Sequence, residues 1–188
     1  THVTGPVGQR IQSYFGVFKE GKETVAVIEM AAIAGLRHVP KTQRNPLYTT
    51  TYGVGQMIIK ALDYGVDRII IGCGDSGTSD GGVGMAQAIG VKFYNKHGEA
   101  VYIDGGVDID KIHDLDLSNI DNRVSTTPID VAVNWSNILC GDKGVARVFG
   151  PQKGASQEDV EHLSNNLYHL AALIKQHTNK DLRYAEGT

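Results

Sequence analysis

The sequence predicts a single domain over residues 1–188, of α/β class with α+β character, in which helices flank a mixed sheet. Three observations carry that prediction. Arg68-Ile69-Ile70-Ile71-Gly72-Cys73 is a short β-branched run without alternation, the pattern of a strand buried on both faces. Apolar residues recur at helical spacing in two places, at Val54, Met57, Ile58, Ala61 and Leu62, and at Val160, Leu163, Leu167, Leu170, Ala171 and Ile174. Two hairpin signals, Lys19-Glu20-Gly21-Lys22 and Asn95-Lys96-His97-Gly98, each separate two apolar stretches. With 188 residues and 41 % hydrophobic content, the chain can build a core without disulfides or metal.

In chain order, Gln9 to Phe18 reads as one strand that turns at Gly21 into Thr24 to Glu29. Met30 to Leu36 is Ala-rich and reads as a brief helix, and Pro40 to Pro46 as a polar loop. Thr49, Thr50 and Thr51 offer an N-cap for the first long helix, and Gly65 offers its stop. After the Arg68 strand comes the glycine-rich stretch 72–84, then a helix over Val83 to Ile89 ended by Gly90. Val91 to Tyr94 and Ala100 to Ile103 form the second hairpin. Residues 104–127 are Asp-rich and too irregular to assign. Ile129, Val131, Val133 and Trp135 alternate as a strand, and 137–153 reads mostly as loop. Ser156 with Asp159 opens the last helix as a capping box.

A net charge of -3 with dispersed Lys and Arg argues against nucleic acid or an anionic membrane as partner. No apolar run approaches the roughly 20 residues of a membrane span. Cys73 and Cys140 suit a reducing, cytoplasmic setting as two free thiols, with a disulfide left open. The seven histidines are scattered, with no legible metal or triad spacing.

Three segments could carry chemistry. Gly72-Cys73-Gly74-Asp75-Ser76-Gly77-Thr78-Ser79-Asp80-Gly81-Gly82-Val83-Gly84 lies between a strand and a helix. Its glycines let backbone approach a ligand, and free N–H groups at a helix start attract anions. Ser76, Thr78 and Ser79 add hydroxyls, while Asp75 and Asp80 could hold Mg²⁺, orient a substrate hydroxyl, or cap a helix. No lysine lies within it, so it is not a P-loop. In Phe149-Gly150-Pro151-Gln152-Lys153-Gly154-Ala155, Lys153 is either a mobile charge for a phosphate or a solvated turn residue. Asn134 and Asn137 follow a strand and either bind a hydroxy acid or cap a turn. Glu29, at another strand end, has the same two readings, and Arg44 either binds a carboxylate or is a surface arginine.

Four segments together resemble the bacterial ATP-dependent glycerate kinase family: 26–32, 44–47 with 50–55, 70–84, and 139–154. The pairing of Ser79-Asp80-Gly81-Gly82-Val83-Gly84 with Phe149 to Ala155 is its most specific part. The resemblance implies phosphoryl transfer from ATP and Mg²⁺ to D-glycerate in a two-lobed α/β enzyme, of which this chain is the inserted lobe. The partners it implies are D-glycerate, ATP and the remaining lobe of the same chain, and a homodimer stays open. It places glycerate or the transferring phosphate at Gly74, Asp75, Ser76, Gly77, Thr78, Ser79, Gly81 and Gly82, with Glu29, Arg44, Asn134 and Asn137 around them. Asp80 would orient the attacking hydroxyl or Mg²⁺, and Lys153 would neutralise developing charge. Two departures from the family pattern matter. Asp75 stands where a glycine is common, and Asn134 where an aspartate is. The alternative to an enzyme is a lobe that senses a hydroxy acid, or only shields a partner domain, without ATP dependence.

Overall fold

The computed structural model describes residues 1–187. Its main sheet has the order β3-β4-β5-β9, from β3 (Gly16–Glu20), β4 (Glu23–Glu29), β5 (Arg68–Gly72) and β9 (Ile129–Ala132). β3 and β4 form an antiparallel hairpin that turns at Gly21, whose φ of 61° suits glycine. β4, β5 and β9 run parallel. Their carboxyl ends therefore lie together, at Glu29, Gly72 and Ala132.

The strand expected over 9–18 is two strands. β1 (His2–Thr4) pairs with β2 (Arg10–Gln12), and β3 begins only at Gly16. Ser13 breaks the run because its side chain is buried and its hydroxyl donates to Ala32 O at 2.9 Å. β5 is also not buried on both faces. Ile69 and Ile71 are buried against α2 (Tyr52–Tyr64), with Val54, Met57, Ile58, Ala61 and Leu62 opposite. On the other face Arg68 pairs with Glu20 at 3.3 Å and Asp130 at 2.6 Å, while Phe18 and Val27 stay 44 % and 38 % exposed.

α1 (Ala31–Ala34) and α2 connect β4 to β5. The connection from β5 to β9 holds α3 (Val83–Ala88), a small sheet of order β7-β6-β8, and α4 (Asn122–Thr126). That small sheet comprises β6 (Lys92–Tyr94), β7 (Ala100–Val101) and β8 (Asp114–Asp116), the first two forming the expected hairpin. The stretch expected as loop over 137–153 holds a short helix, α5 (Val145–Phe149). α6 (Gln157–Thr178) opens with the reciprocal Ser156–Asp159 capping box. It buries Leu163, Leu167, Leu170 and Ala171 against Phe93, Ile103, Ile109 and Ile112, a second packing centre.

The two centres meet where α2 crosses α3. A Cβ on Gly55 would lie 2.4 Å from Met85 O, and one on Gly84 would lie 2.2 Å from Thr50 Oγ1. Only glycine admits this approach, which sets the glycine-rich loop between the two halves of the core.

Candidate active site

The crevice beyond the carboxyl ends of parallel strands is where an open α/β sheet offers a ligand site. Here it is a cleft of about 420 Å³ lined by Glu29, Ala31, Gly72 to Asp75, Ala132, Val133 and Asn134. Glu29 closes β4, the Gly72-Cys73-Gly74-Asp75 turn leaves β5, and Asn134 follows β9. Three segments distant in sequence thus bring their polar groups to one opening. Asp75 takes a φ of 49°, in the left-handed region that aspartate tolerates better than most residues. Its carbonyl accepts from Leu36 N at 3.1 Å, which ties the turn to the segment after α1.

Beyond Asp75 the chain dives inward. Gly77 and Thr78 are buried, and Gly77 packs against Leu36 Cα, 2.9 Å from where its Cβ would stand. Thr49 Oγ1 donates to Gly77 O at 3.0 Å. Lys153 is only 9 % exposed, neither the mobile charge nor the solvated turn residue that its flanking glycines suggest. Its Nζ donates to Thr78 O at 2.6 Å and Ser76 Oγ at 3.0 Å, and lies 3.5 Å from Ser79 Oγ. Burial pushes the Lys153 ammonium down to about 8, partly opposed by the negative charge of Asp80.

Asp80 is 1 % exposed and faces inward. Its Oδ2 accepts from Thr51 N and Thr51 Oγ1, each at 2.8 Å, and from Gly84 N at 3.1 Å; Oδ1 accepts from Gly82 N at 3.2 Å. It therefore joins the start of α2 to the first turn of α3. Burial pushes its carboxyl up from the ordinary value, against the four donors that favour the ionised form. Thr51 sits at the N-cap of α2, but its hydroxyl serves Asp80 and accepts from Met85 N at 2.9 Å; Thr50 Oγ1 accepts from Tyr52 N instead. Sequence reading missed this role for Thr51. The triple threonine was the only signal, and it reads as a cap.

The structure does not bring all the predicted residues to one place. Glu29, Gly74, Asp75 and Asn134 line the cleft. Ser76, Thr78, Ser79, Lys153 and, behind them, Asp80 with Gly81 and Gly82 form the braced loop. The Asn137 carbonyl accepts from Gly187 N at 3.0 Å. Arg44 lies against Gly154, the neighbour of Lys153, whose Cβ would stand 2.1 Å from Arg44 O. Cys73 and Cys140 are both free thiols, and burial pushes each above its ordinary range.

Glu29, Asp75 and Asn134 are hard oxygen donors, the kind Mg²⁺ takes. Among the described residues no three His, Cys, Asp or Glu side chains are placed to hold a metal ion together. At the cleft the set amounts to two carboxylates and one neutral amide oxygen, donors of the class Mg²⁺ takes.

All 188 residues match the family model described as the glycerate kinase family. The chain is 44 % identical over 186 residues to a glycerate kinase of Bacillus cereus, covering 99 % of this chain and 48 % of that protein. It is 43 % identical over 185 residues to glycerate 2-kinase of Escherichia coli K12, covering 98 % and 48 % respectively. A crystal structure described as glycerate kinase 2 of Salmonella typhimurium LT2 superposes with a TM-score of 0.93 at 42 % identity, over 100 % of this chain and 49 % of that one. The chain spans about half the length of the curated relatives it matches.

Proposed function

Because the chain belongs to the glycerate kinase family, we propose that it forms the lobe of such a kinase that holds D-glycerate and the transferring phosphate, in an enzyme using ATP and Mg²⁺ in the cytoplasm. The observation that carries this reading is the cleft at the ends of β4, β5 and β9, continued by a loop braced by a buried lysine. Phosphoryl transfer needs positioning and charge stabilisation more than covalent chemistry.

This chain's residues divide that work. Glu29, Asp75 and Asn134 offer oxygens to Mg²⁺ and to the glycerate hydroxyls. Held by these oxygens, Mg²⁺ would offset the negative charge of the phosphate. The Ser76 and Ser79 hydroxyls, which face Lys153, can turn to donate to an anion while the ammonium stabilises them from behind. Lys153 thus adds positive potential at the loop without leaving it, and at neutral pH it remains protonated, since it titrates near 8. Asp80 is a positioning residue: it holds Thr51, Gly82 and Gly84 and so fixes the loop's far end. The groups that bind ATP are assigned to the remaining lobe of the same chain.

The test is coupled ADP release with D-glycerate in the two-lobed protein. Lys153→Met and Ser76→Ala should each lower kcat/KM at least tenfold. Wild-type activity in both variants would remove the loop from the reaction. Glycerate binding without any ATP turnover would favour the sensing lobe instead.

A further inference from the structure

Arg44 differs from the other partly buried arginines. Arg68, Arg123, Arg147 and Arg183 each meet a carboxylate. Arg44 makes no ion pair or side-chain hydrogen bond among the described residues, yet its Nε is shielded from solvent and lacks an acceptor. The Nε of Arg147 also lacks one, but the terminal nitrogens of that guanidinium both grip Glu161. A buried donor with nothing to meet is a cost that a fold removes unless the position has another use.

The backbone around Arg44 is fixed from two sides. Gly154, at φ 101°, lets the Arg44 carbonyl approach where a Cβ would sit 2.1 Å away, and that same Cβ would be 2.9 Å from Arg44 Cβ. Next to it, Asn45 accepts from Leu47 N at 2.9 Å and donates to Asp159 Oδ2 at 3.2 Å, at the start of α6. The residue is thus held beside the turn that carries Lys153, with a fork-shaped cation whose Nε meets no acceptor among the described residues. A guanidinium matches the paired oxygens of a carboxylate or phosphate, which it takes by two parallel bonds.

We propose that Arg44 is a specificity-determining residue that receives an oxyanion, either the carboxylate of a small hydroxy acid or a phosphate group, beside the Lys153 turn. This rests on the kinase reading above for its ligand class. It goes further in giving the anion a receptor separate from the loop hydroxyls, one that demands a charged group on the ligand.

The test is calorimetric titration of the 188-residue chain with D-glycerate, with glycerol, which lacks the carboxylate, and with inorganic phosphate. Wild type, Arg44→Lys, Arg44→Met and Lys153→Met are compared, with thermal unfolding of each in the absence of ligand. Wild type should bind D-glycerate or phosphate and ignore glycerol, and the anion bound identifies the source. Arg44→Met should weaken that binding at least tenfold, with Arg44→Lys in between. Without ligand, Arg44→Met should melt no lower than wild type, because it removes an unpaired donor and keeps the apolar stem. Unchanged binding by Arg44→Met overturns the proposal. So does a loss of binding accompanied by a melting point several degrees lower, which marks a structural role. If Lys153→Met loses binding while Arg44→Met keeps it, the proposal falls and the kinase reading stands. If wild type binds neither anion, the proposal falls, and ADP release in the two-lobed protein decides the kinase reading separately.

Discussion

Replacing Asp80 with alanine tests whether a buried carboxylate holds the glycine-rich loop. The substitution removes the acceptor for Thr51 N, Thr51 Oγ1, Gly82 N and Gly84 N. The Thr51 hydroxyl can rotate toward another partner, and Gly82 is partly exposed, so water can serve it. The amides of Thr51 and Gly84 stay buried with nothing to accept from them. Each such orphan costs about 1–3 kcal/mol, so the pair costs about 2–6 kcal/mol. Removing the carboxylate also removes its own burial cost, visible in its raised titration, which places the expected loss in the lower half of that range. In a domain of this size each kcal/mol lowers Tm by roughly 2–4 °C, so a fall of roughly 5–15 °C is expected. Guanidinium unfolding followed by far-ultraviolet circular dichroism gives the free energy. Asp80→Asn should fall between alanine and wild type, because it keeps one oxygen but turns an amide donor toward a backbone N–H. A loss under about 0.5 kcal/mol for the alanine variant would refute the clamp, since a single orphaned amide exceeds that.

Three further predictions follow the same logic. Lys153 titrates near 8 in the folded chain against an ordinary 10.5, so between those values the unfolded chain binds more protons and stability rises with pH. From about pH 7 to about pH 9.5, wild type should gain about 2 kcal/mol relative to Lys153→Met in denaturant titrations, and a flat difference would contradict the buried ammonium. Gly84→Ala should destabilise by about 2–4 kcal/mol despite alanine's better helix propensity, because its Cβ would stand 2.2 Å from Thr50 Oγ1 and 2.9 Å from Asp80 Oδ2; a more stable variant in thermal unfolding would show that propensity wins. Gly154→Ala, at φ 101° and 2.1 Å from Arg44 O, should cost about 2–3 kcal/mol and shift the resonances of residues 76–79 through Lys153, whereas an unperturbed spectrum would place no close contact there.

What the sequence reveals about this protein depends on how local each signal is. The hairpin at Gly21, the capping box at Ser156 and the left-handed stop at Gly65 are each written within a few neighbouring residues, and each forms as read. Ile69-Ile70-Ile71 reads as a strand for the same reason, but which faces are covered depends on α2 packing on one side only. The small sheet's third strand, Asp114–Asp116, is polar and three residues long, so it carries no period to detect. At the site, the glycine-rich loop is visible because turns demand glycine. Its bracing is not, because Lys153 and Thr78 stand 75 positions apart, and Thr51 and Asp80 stand 29 apart. A lysine flanked by glycines looks solvated until distant chain closes over it. Arg44 is legible only as a residue type, since its missing acceptor is a property of three dimensions.

The central claim is that the strand-end cleft and its braced loop receive D-glycerate. The most direct measurement is a titration of the ¹⁵N-labelled chain with D-glycerate, followed through backbone amide shifts. The account predicts saturable shifts at Gly74, Asp75, Ser76, Gly77 and Ser79, with smaller ones at Ala31 and Asn134, which line the same cleft. Saturable shifts confined instead to the second groove, around Asn95 and His113, or no saturable shifts at all, would contradict it.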